Sequence, residues 1–582
     1  MKIKLAQSSG FCMGVRRAME QALEAVHHKD GPFFSYGPLI HNPQAVDLLR
    51  SKGLIDLAPT PEALAGTSRG VVIIRAHGVP PEEKKALKDM GLEVIDATCP
   101  RVIRVQAIIE RHSASGFTPI IWGNPDHPEV KGLLGHSRGR GVVVLSVEDV
   151  LTLPDLDKVI LVAQTTQNQQ KFPEMAAAVR SRWPEALIFD TICGATQRRQ
   201  DDVRRLAREV DAMVIVGGRH SGNTQRLAAA AEDEGVKTVR IETEDELDPE
   251  WLAGVKNVGV TAGASTPNWM IKRVIRELER SARRRDVSVR TVSYRLLRIL
   301  ILSNIYAALG AGLLCLAGAR LQGAPASPVF FGVVFFYVHA MHVLNLFLDK
   351  EASQFSDPDR AKFLERHRGP LLTSGLVSAL LALGLGLTLG LKVFIFLLLM
   401  SSLGLLYAVP LAPKAWAPKT RFRRLKDVPV SKTLSLSGGW ALTLSLTPAL
   451  APGGEVGGAT VLTAFIIFLL VFIRSALGDI VEIQGDRIVG RETIPIIIGE
   501  KKTLGLLWGV LLVLTAALVL GYLSGLLPSL ALVLLLCVGY AGLYLLLFKR
   551  DQIMSSAFFE ALIDANFILA GLLSRLWASL GS

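Results

Sequence analysis

GFCMGV (residues 10–15), DATCPR (96–101) and DTICGATQ (190–197) repeat one arrangement three times: an apolar or extended run, turn residues, a cysteine, then a helix-forming stretch. Cys12, Cys99 and Cys193 stand 87 and 94 residues apart, a spacing that predicts three similar α/β units, each placing its cysteine at a strand-to-helix junction. Of the five cysteines, Cys315 and Cys537 fall inside long apolar runs, where a small buried thiol is the ordinary reading. Three cysteines are an odd number for a disulfide framework, and no Cys-x-x-Cys pair of the structural zinc type accompanies them. A cofactor shared by all three is the sharper reading.

Apolar runs ending in Gly and His recur between these cysteines. VVIIRAHGV (71–79) carries His77, TPIIWGNPDHPEV (118–130) carries His127 and Glu129, and AMVIVGGRHSGNT (212–224) carries Ser221 and Asn223. They read as parallel strands followed by helices, whose carboxyl ends collect ligand groups and whose glycine-rich turns leave donors for an anion. Three thiolates on a cubane iron-sulfur cluster would leave its fourth iron without a protein ligand, open to a substrate oxygen.

The chain has 582 residues, half of them apolar and only 20% charged, which excludes a single core and a disordered chain. Its mean hydropathy of +0.37 points toward lipid. Up to about Arg285 charges are frequent, whereas from Leu296 long, almost uncharged runs recur. The net charge of +12 is concentrated between Lys272 and Arg298, just before the first such run. That is a juxtamembrane collar rather than a nucleic-acid surface, and the polar opening MKIKLAQSSGFCMG predicts no cleaved secretory signal. Nine spans are expected: 296–319, 328–348, 370–389, 393–410, 432–450, 459–477, 503–525, 528–547 and 556–578. Lys and Arg concentrate in the loops at 349–369, 411–431, 478–502 and 548–555, which places those loops and the amino-terminal half in the cytoplasm.

Two of these loops carry acids, in NLFLDKEASQFSDPDR (345–360) and GDIVEIQGDRIVGRETIP (478–495). Carboxylates three, four or seven residues apart share a helix face, and two such faces can hold Mg2+ against a diphosphate. Residues 296–580 resemble the UbiA-type intramembrane prenyltransferases. Asn345 and Asp349 match the family's first Asn/Asp motif, Asp479 and Asp486 match the second, and Glu482 stands in for its middle acid. The resemblance implies a Mg2+ and diphosphate site on these five residues. It departs at Ser353, where the family has a third acid.

The assembly of GFCMGV, HNPQ (His41), RAHGV, DATCP, HPEV, QTT (Thr165, Thr166), ICGATQ, SGNT and AGASTP (Ser265) resembles the 4-hydroxy-3-methylbut-2-enyl diphosphate reductases, the LytB/IspH family, through residues 1–280. The resemblance implies an α/β trefoil of three similar units around a 4Fe-4S cluster held by Cys12, Cys99 and Cys193. It further implies that His41, His77, Ser221, Asn223 and Ser265 hold the diphosphate, with Thr165, Thr166 and Gly222 also among the substrate-binding residues. His127, Glu129 and Thr165 would then stand near the allylic hydroxyl. Gly222 replaces a serine common in the family, which removes one hydroxyl donor.

The expected organisation is therefore a reductase domain at 1–280, a basic, non-helical linker at 281–295, and an all-α bundle of nine transmembrane helices at 296–582. The expected function is reductive dehydroxylation to isopentenyl and dimethylallyl diphosphate, with prenyl transfer from a polyprenyl diphosphate by the membrane half. A degenerate membrane anchor and a cluster-based redox sensor are the competing readings. Expected partners are small diphosphates, an electron donor such as ferredoxin or flavodoxin, and the bilayer, with no nucleic acid. The expected location is the inner cell membrane, multi-pass, with the reductase domain in the cytoplasm.

Overall fold

The computed structural model describes residues 1–29, 31–40, 42–57, 64, 67, 69–219, 221–248, 250–284, 289–348, 358–408, 425, 428–550 and 556–580. The chain divides into two compact units, Met1–Asp286 and Val287–Ser582.

Twelve strands build the first unit: β1 (Lys2–Leu5), β2 (Phe33–Tyr36), β3 (Leu54–Leu57), β4 (Val71–Ile74), β5 (Glu93–Asp96), β6 (Thr118–Trp122), β7 (Val142–Val144), β8 (Val159–Ala163), β9 (Leu187–Ile188), β10 (Ala212–Val216), β11 (Lys237–Ile241) and β12 (Asn257–Ala262). They form three four-stranded sheets, ordered β3-β2-β4-β5, β7-β6-β8-β9 and β11-β10-β12-β1. Every pairing is parallel. All three sheets follow one order if β1 counts as the last strand of the third, so the amino terminus closes the sheet begun by β10.

Parallel sheets are covered on both faces, and their inner strands read as unbroken apolar runs. β4, β6, β8 and β10 are such runs and are almost wholly buried. In the second sheet Ile120, Trp122 and Leu161 pack into one cluster, while Ile121, Ile160 and Val162 pack into another on the opposite face. Pro43, Pro81, Pro100 and Pro128 each open the helix after a strand, where a missing N–H costs nothing.

The second unit is helical. Among the described residues six helices are long and apolar enough to cross a membrane: Pro328–Leu348, Arg368–Thr388, Gly458–Val489, Glu500–Leu523, the stretch from Leu530 through Arg550, and Ser556–Leu580. Two other expected spans are helical but fall short, Leu391–Tyr407 by length and Ser431–Leu450 through its many Ser and Thr residues. The expected first span is not one straight helix. Val289–Leu302 and Ile305–Leu321 meet at a bend of 73°, and Asn304 takes φ 60° there, a conformation Asn tolerates better than most residues. Hydropathy alone does not register such a break.

The expected non-helical linker is also corrected. Helix Asn268–Arg284 runs into it and helix Val289–Leu302 begins within it. Arg and Glu are good helix formers, and apolar residues at helical spacing outweigh the charge density there.

Candidate functional site

In the first unit every candidate residue follows a strand end. The loops after β4, β6, β8, β10 and β12 carry His77, His127 with Glu129, Thr165 with Thr166, Ser221 to Asn223, and Ser265. His41 lies outside the described residues. The fourth strand of each sheet, β5, β9 or β1, leads to Cys99, Cys193 or Cys12, and each cysteine caps the helix that follows: Pro100–Ala114, Gly194–Ala207 and Met13–His28.

Backbone hydrogen bonds strap each cysteine to a ligand loop of its own sheet. Cys12 N–H donates to Ala264 O at 3.0 Å, Cys99 N–H to Ala76 O at 2.9 Å and Cys193 N–H to Thr165 O at 2.8 Å. These acceptors are Thr165 itself and the immediate neighbours of Ser265 and His77. Contacts also cross between sheets. Arg17, on the helix after Cys12, donates to Thr98 O at 2.8 Å, beside Cys99. A Cβ added at Gly14 would stand 2.5 Å from Cys99 Sγ, so only glycine lets these segments meet. All three thiols are free and half-buried. Burial pushes the Cys99 thiol up, and the charges of Cys12 and Cys193 add to the shift, against the N–H groups of Arg101 and Val102. Among the described residues no three His, Cys, Asp or Glu side chains converge tightly enough to hold one metal ion.

Glu129 is buried, and Thr165 grips it twice: its N–H donates to Oε1 at 2.7 Å and its hydroxyl to Oε2 at 2.9 Å. Burial raises the Glu129 pKa and outweighs the opposing Thr165 hydrogen bonds and the charge of Arg226. The N–H of Glu129 donates to His127 Nδ1 at 3.1 Å, which assigns the proton of the neutral ring to Nε2. The rings of His127 and His77 meet edge to face, centroids 5.3 Å apart.

At the β10 and β12 ends Ser221, Asn223 and Ser265 are buried. Ser221 Oγ caps helix Gly222–Glu232 by accepting from Thr224 N–H at 3.4 Å. The amide Nδ2 of Asn223 is buried without a hydrogen-bond partner among the described residues, and a Cβ at Gly222 would touch none of them within 4 Å. A helix start with a waiting donor and open space suits an anion.

Sequence reasoning missed two arginines. Arg226 donates to Thr166 O and, at 3.4 Å, to Gln167 Oε1, linking the third sheet to the second. Its position three residues after Asn223, on the same helix face, was the available signal. Arg199 is 6% exposed, donates to Ala262 O at 3.4 Å and faces the charges of Cys12 and Cys193. Nothing in its local sequence marks it.

In the second unit a cavity of about 520 Å³ gathers Asn345, Asp479 and Glu482 with Lys432, Arg360, Arg474, Asp564 and apolar side chains such as Met341, Met400 and Leu436. Asp349 and Ser353 lie outside the described residues. Lys432 Nζ stands 3.0 Å from Asp479, 2.8 Å from Glu482 and 3.0 Å from Asp486. The three acids expected to hold a metal thus hold an ammonium, and as arranged they do not fit a divalent ion. Arg474 forks onto Asp564, with Nη2 3.1 Å from Oδ2. An arginine inside the run FIIFLLVFIRSALG was a legible signal of this pair.

Residues 3–279 match the LytB protein family model and residues 305–563 the UbiA prenyltransferase family model. The 4-hydroxy-3-methylbut-2-enyl diphosphate reductase of Aquifex aeolicus is 43% identical over 275 residues, 47% of this chain and 94% of the relative. Its counterpart from Geobacter sulfurreducens is 44% identical over 279 residues, 48% of this chain and 97% of the relative. A structure of a UbiA homolog from Archaeoglobus fulgidus bound to GPP and Mg2+ is 15% identical with a TM-score of 0.36, covering 48% of this chain and 99% of its own. Through its first 280 residues the chain belongs to the LytB family of 4-hydroxy-3-methylbut-2-enyl diphosphate reductases, and it carries a UbiA prenyltransferase family domain behind them.

Proposed function

We propose that residues 1–280 reduce 4-hydroxy-3-methylbut-2-enyl diphosphate to isopentenyl and dimethylallyl diphosphate in the non-mevalonate pathway, a reading carried by the three cysteines strapped beside the ligand loops. The reaction takes two electrons and two protons, and the hydroxyl leaves as water. Three half-buried thiols, of which Cys99 feels the charges of Cys12 and Cys193, with no single-ion site among the described residues, suit a 4Fe-4S cluster. When bound, that cluster supplies the electrons, received from a donor such as ferredoxin or flavodoxin. Ser221, Asn223 and Ser265, with His41, His77 and Thr166, hold the diphosphate, and Gly222 leaves room for it. Glu129, kept protonated to higher pH by burial, delivers the proton that lets water depart, with Thr165 fixing its carboxyl and His127 accepting from its backbone N–H.

Residues 296–582, behind the basic segment 281–295, span the inner membrane nine times and keep the reductase residues in the cytoplasm. In their cavity they transfer a prenyl group from a polyprenyl diphosphate, with any Mg2+ falling to Asn345 and Asp349. The anchor reading retains support from Ser353 and from Lys432, which occupies the acids of the second motif.

Anaerobically prepared full-length protein, supplied with a reduced dye, should consume the hydroxylated diphosphate and release both five-carbon products. Absence of both products under those conditions would refute the reductase assignment. A labelled prenyl diphosphate offered with aromatic and glycerol-phosphate acceptors should yield a prenylated product in the parent and none in Asp349→Asn. No product with any acceptor would favour the anchor.

A further inference from the structure

Asp479, Glu482 and Asp486 share one face of helix Gly458–Val489, and Lys432 faces them from the first turn of helix Ser431–Leu450. Its Nζ lies 3.0 Å from Asp479 Oδ1, 2.8 Å from Glu482 Oε2 and 3.0 Å from Asp486 Oδ2. An ammonium has three N–H donors and no acceptor; two of them donate to Glu482 and Asp486, and Asp479 stands within ion-pair distance. The neighbouring Thr433 hydroxyl donates to Asp479 Oδ2, and Arg491 Nη1 stands 3.7 Å from Asp486 Oδ1. A divalent ion would need these oxygens at about 2.0 to 2.6 Å around a common point. The ammonium is already there.

We propose that Lys432 is a built-in counter-cation that replaces a divalent metal at the second acidic motif, which leaves the Asn345 side of the cavity for such an ion. Three carboxylates with Lys432 and Arg491 carry one net negative charge, so an incoming diphosphate meets far less repulsion than three bare acids would offer. The ammonium is hydrogen-bonded to two of the acids and ion-paired with the third, so its role is to hold them together. Arg474 and Arg360 are committed in the same way, to Asp564 and Glu560. This inference rests on the reading of the cavity as a diphosphate site.

Counting bound Mn2+ on the full-length protein in detergent tests it. Lys432→Met should bind one more Mn2+ per chain than the parent, Asp486→Asn in that background should remove it, and Lys432→Arg should add none. Equal Mn2+ binding by parent and Lys432→Met would overturn the proposal, as would loss of Mn2+ from the parent on Asp486→Asn alone. If Lys432→Met folds poorly, its Tm should rise more with Mn2+ than that of the parent; equal shifts would again overturn it. Geranylgeranyl diphosphate binding is measured separately. If that ligand fails to bind while the extra Mn2+ appears, the diphosphate reading falls and the counter-cation assignment stands.

Discussion

The two units solve one problem, gathering charged groups at one point, by different means. In the first unit, backbone does the positioning: each cysteine N–H is tied to a loop at the end of a neighbouring strand, three times over. In the second, side chains on facing helices position one another through charge, as with Lys432 and its three acids or Arg474 and Asp564. A strand end offers free backbone donors and acceptors, whereas a membrane helix has spent its own on itself. Backbone-built sites should tolerate changes to neighbouring side chains, and charge-built sites should lose much of their stability when one member is removed.

The largest effect is expected at the cysteines. Cys99→Ser should abolish cluster retention and turnover while leaving the fold intact, as read by iron content and circular dichroism. Unfolding of that variant would mean that the thiols, not the backbone straps, hold the loops. Next, Glu129→Gln should lower turnover by about 10²- to 10⁴-fold. Because burial raises the Glu129 pKa, the parent keeps its proton donor below that raised value and should lose activity as pH climbs through it. Glu129→Gln should lack this alkaline limb, and a limb unchanged in the variant would assign it elsewhere.

On the membrane side, Arg474→Met should cost about 3 kcal/mol or more by stranding Asp564, measured by thermal unfolding in detergent. Arg474→Met/Asp564→Leu should recover most of that loss, and no recovery would show that the pair contributes more than mutual neutralisation. The smallest effect is expected for Gly14→Ala, about 1 to 3 kcal/mol, from the added methyl against Cys99. Its informative readout is looser cluster retention at unchanged secondary structure.

The sequence exposes what is local. The three cysteines and the His77, His127 and Ser221 loops were legible because parallel strands and their turns keep distinctive residue types together. The closing of the third sheet by β1 was not, since it pairs residues more than 200 positions apart. Lys432 escaped notice for the same reason: its partners lie on another helix, and a lysine beside a basic loop looks like part of the positive-inside pattern. The break at Asn304 and the helices reaching into 281–295 were hidden because hydropathy and charge counts carry no information on direction or continuity.

Iron and acid-labile sulfide, counted on full-length protein purified without air, test the central claim most directly when paired with a spectrum taken before and after substrate. The account predicts a 4Fe-4S stoichiometry whose spectrum shifts on adding 4-hydroxy-3-methylbut-2-enyl diphosphate. Protein without iron, or with a cluster indifferent to that ligand, would contradict it.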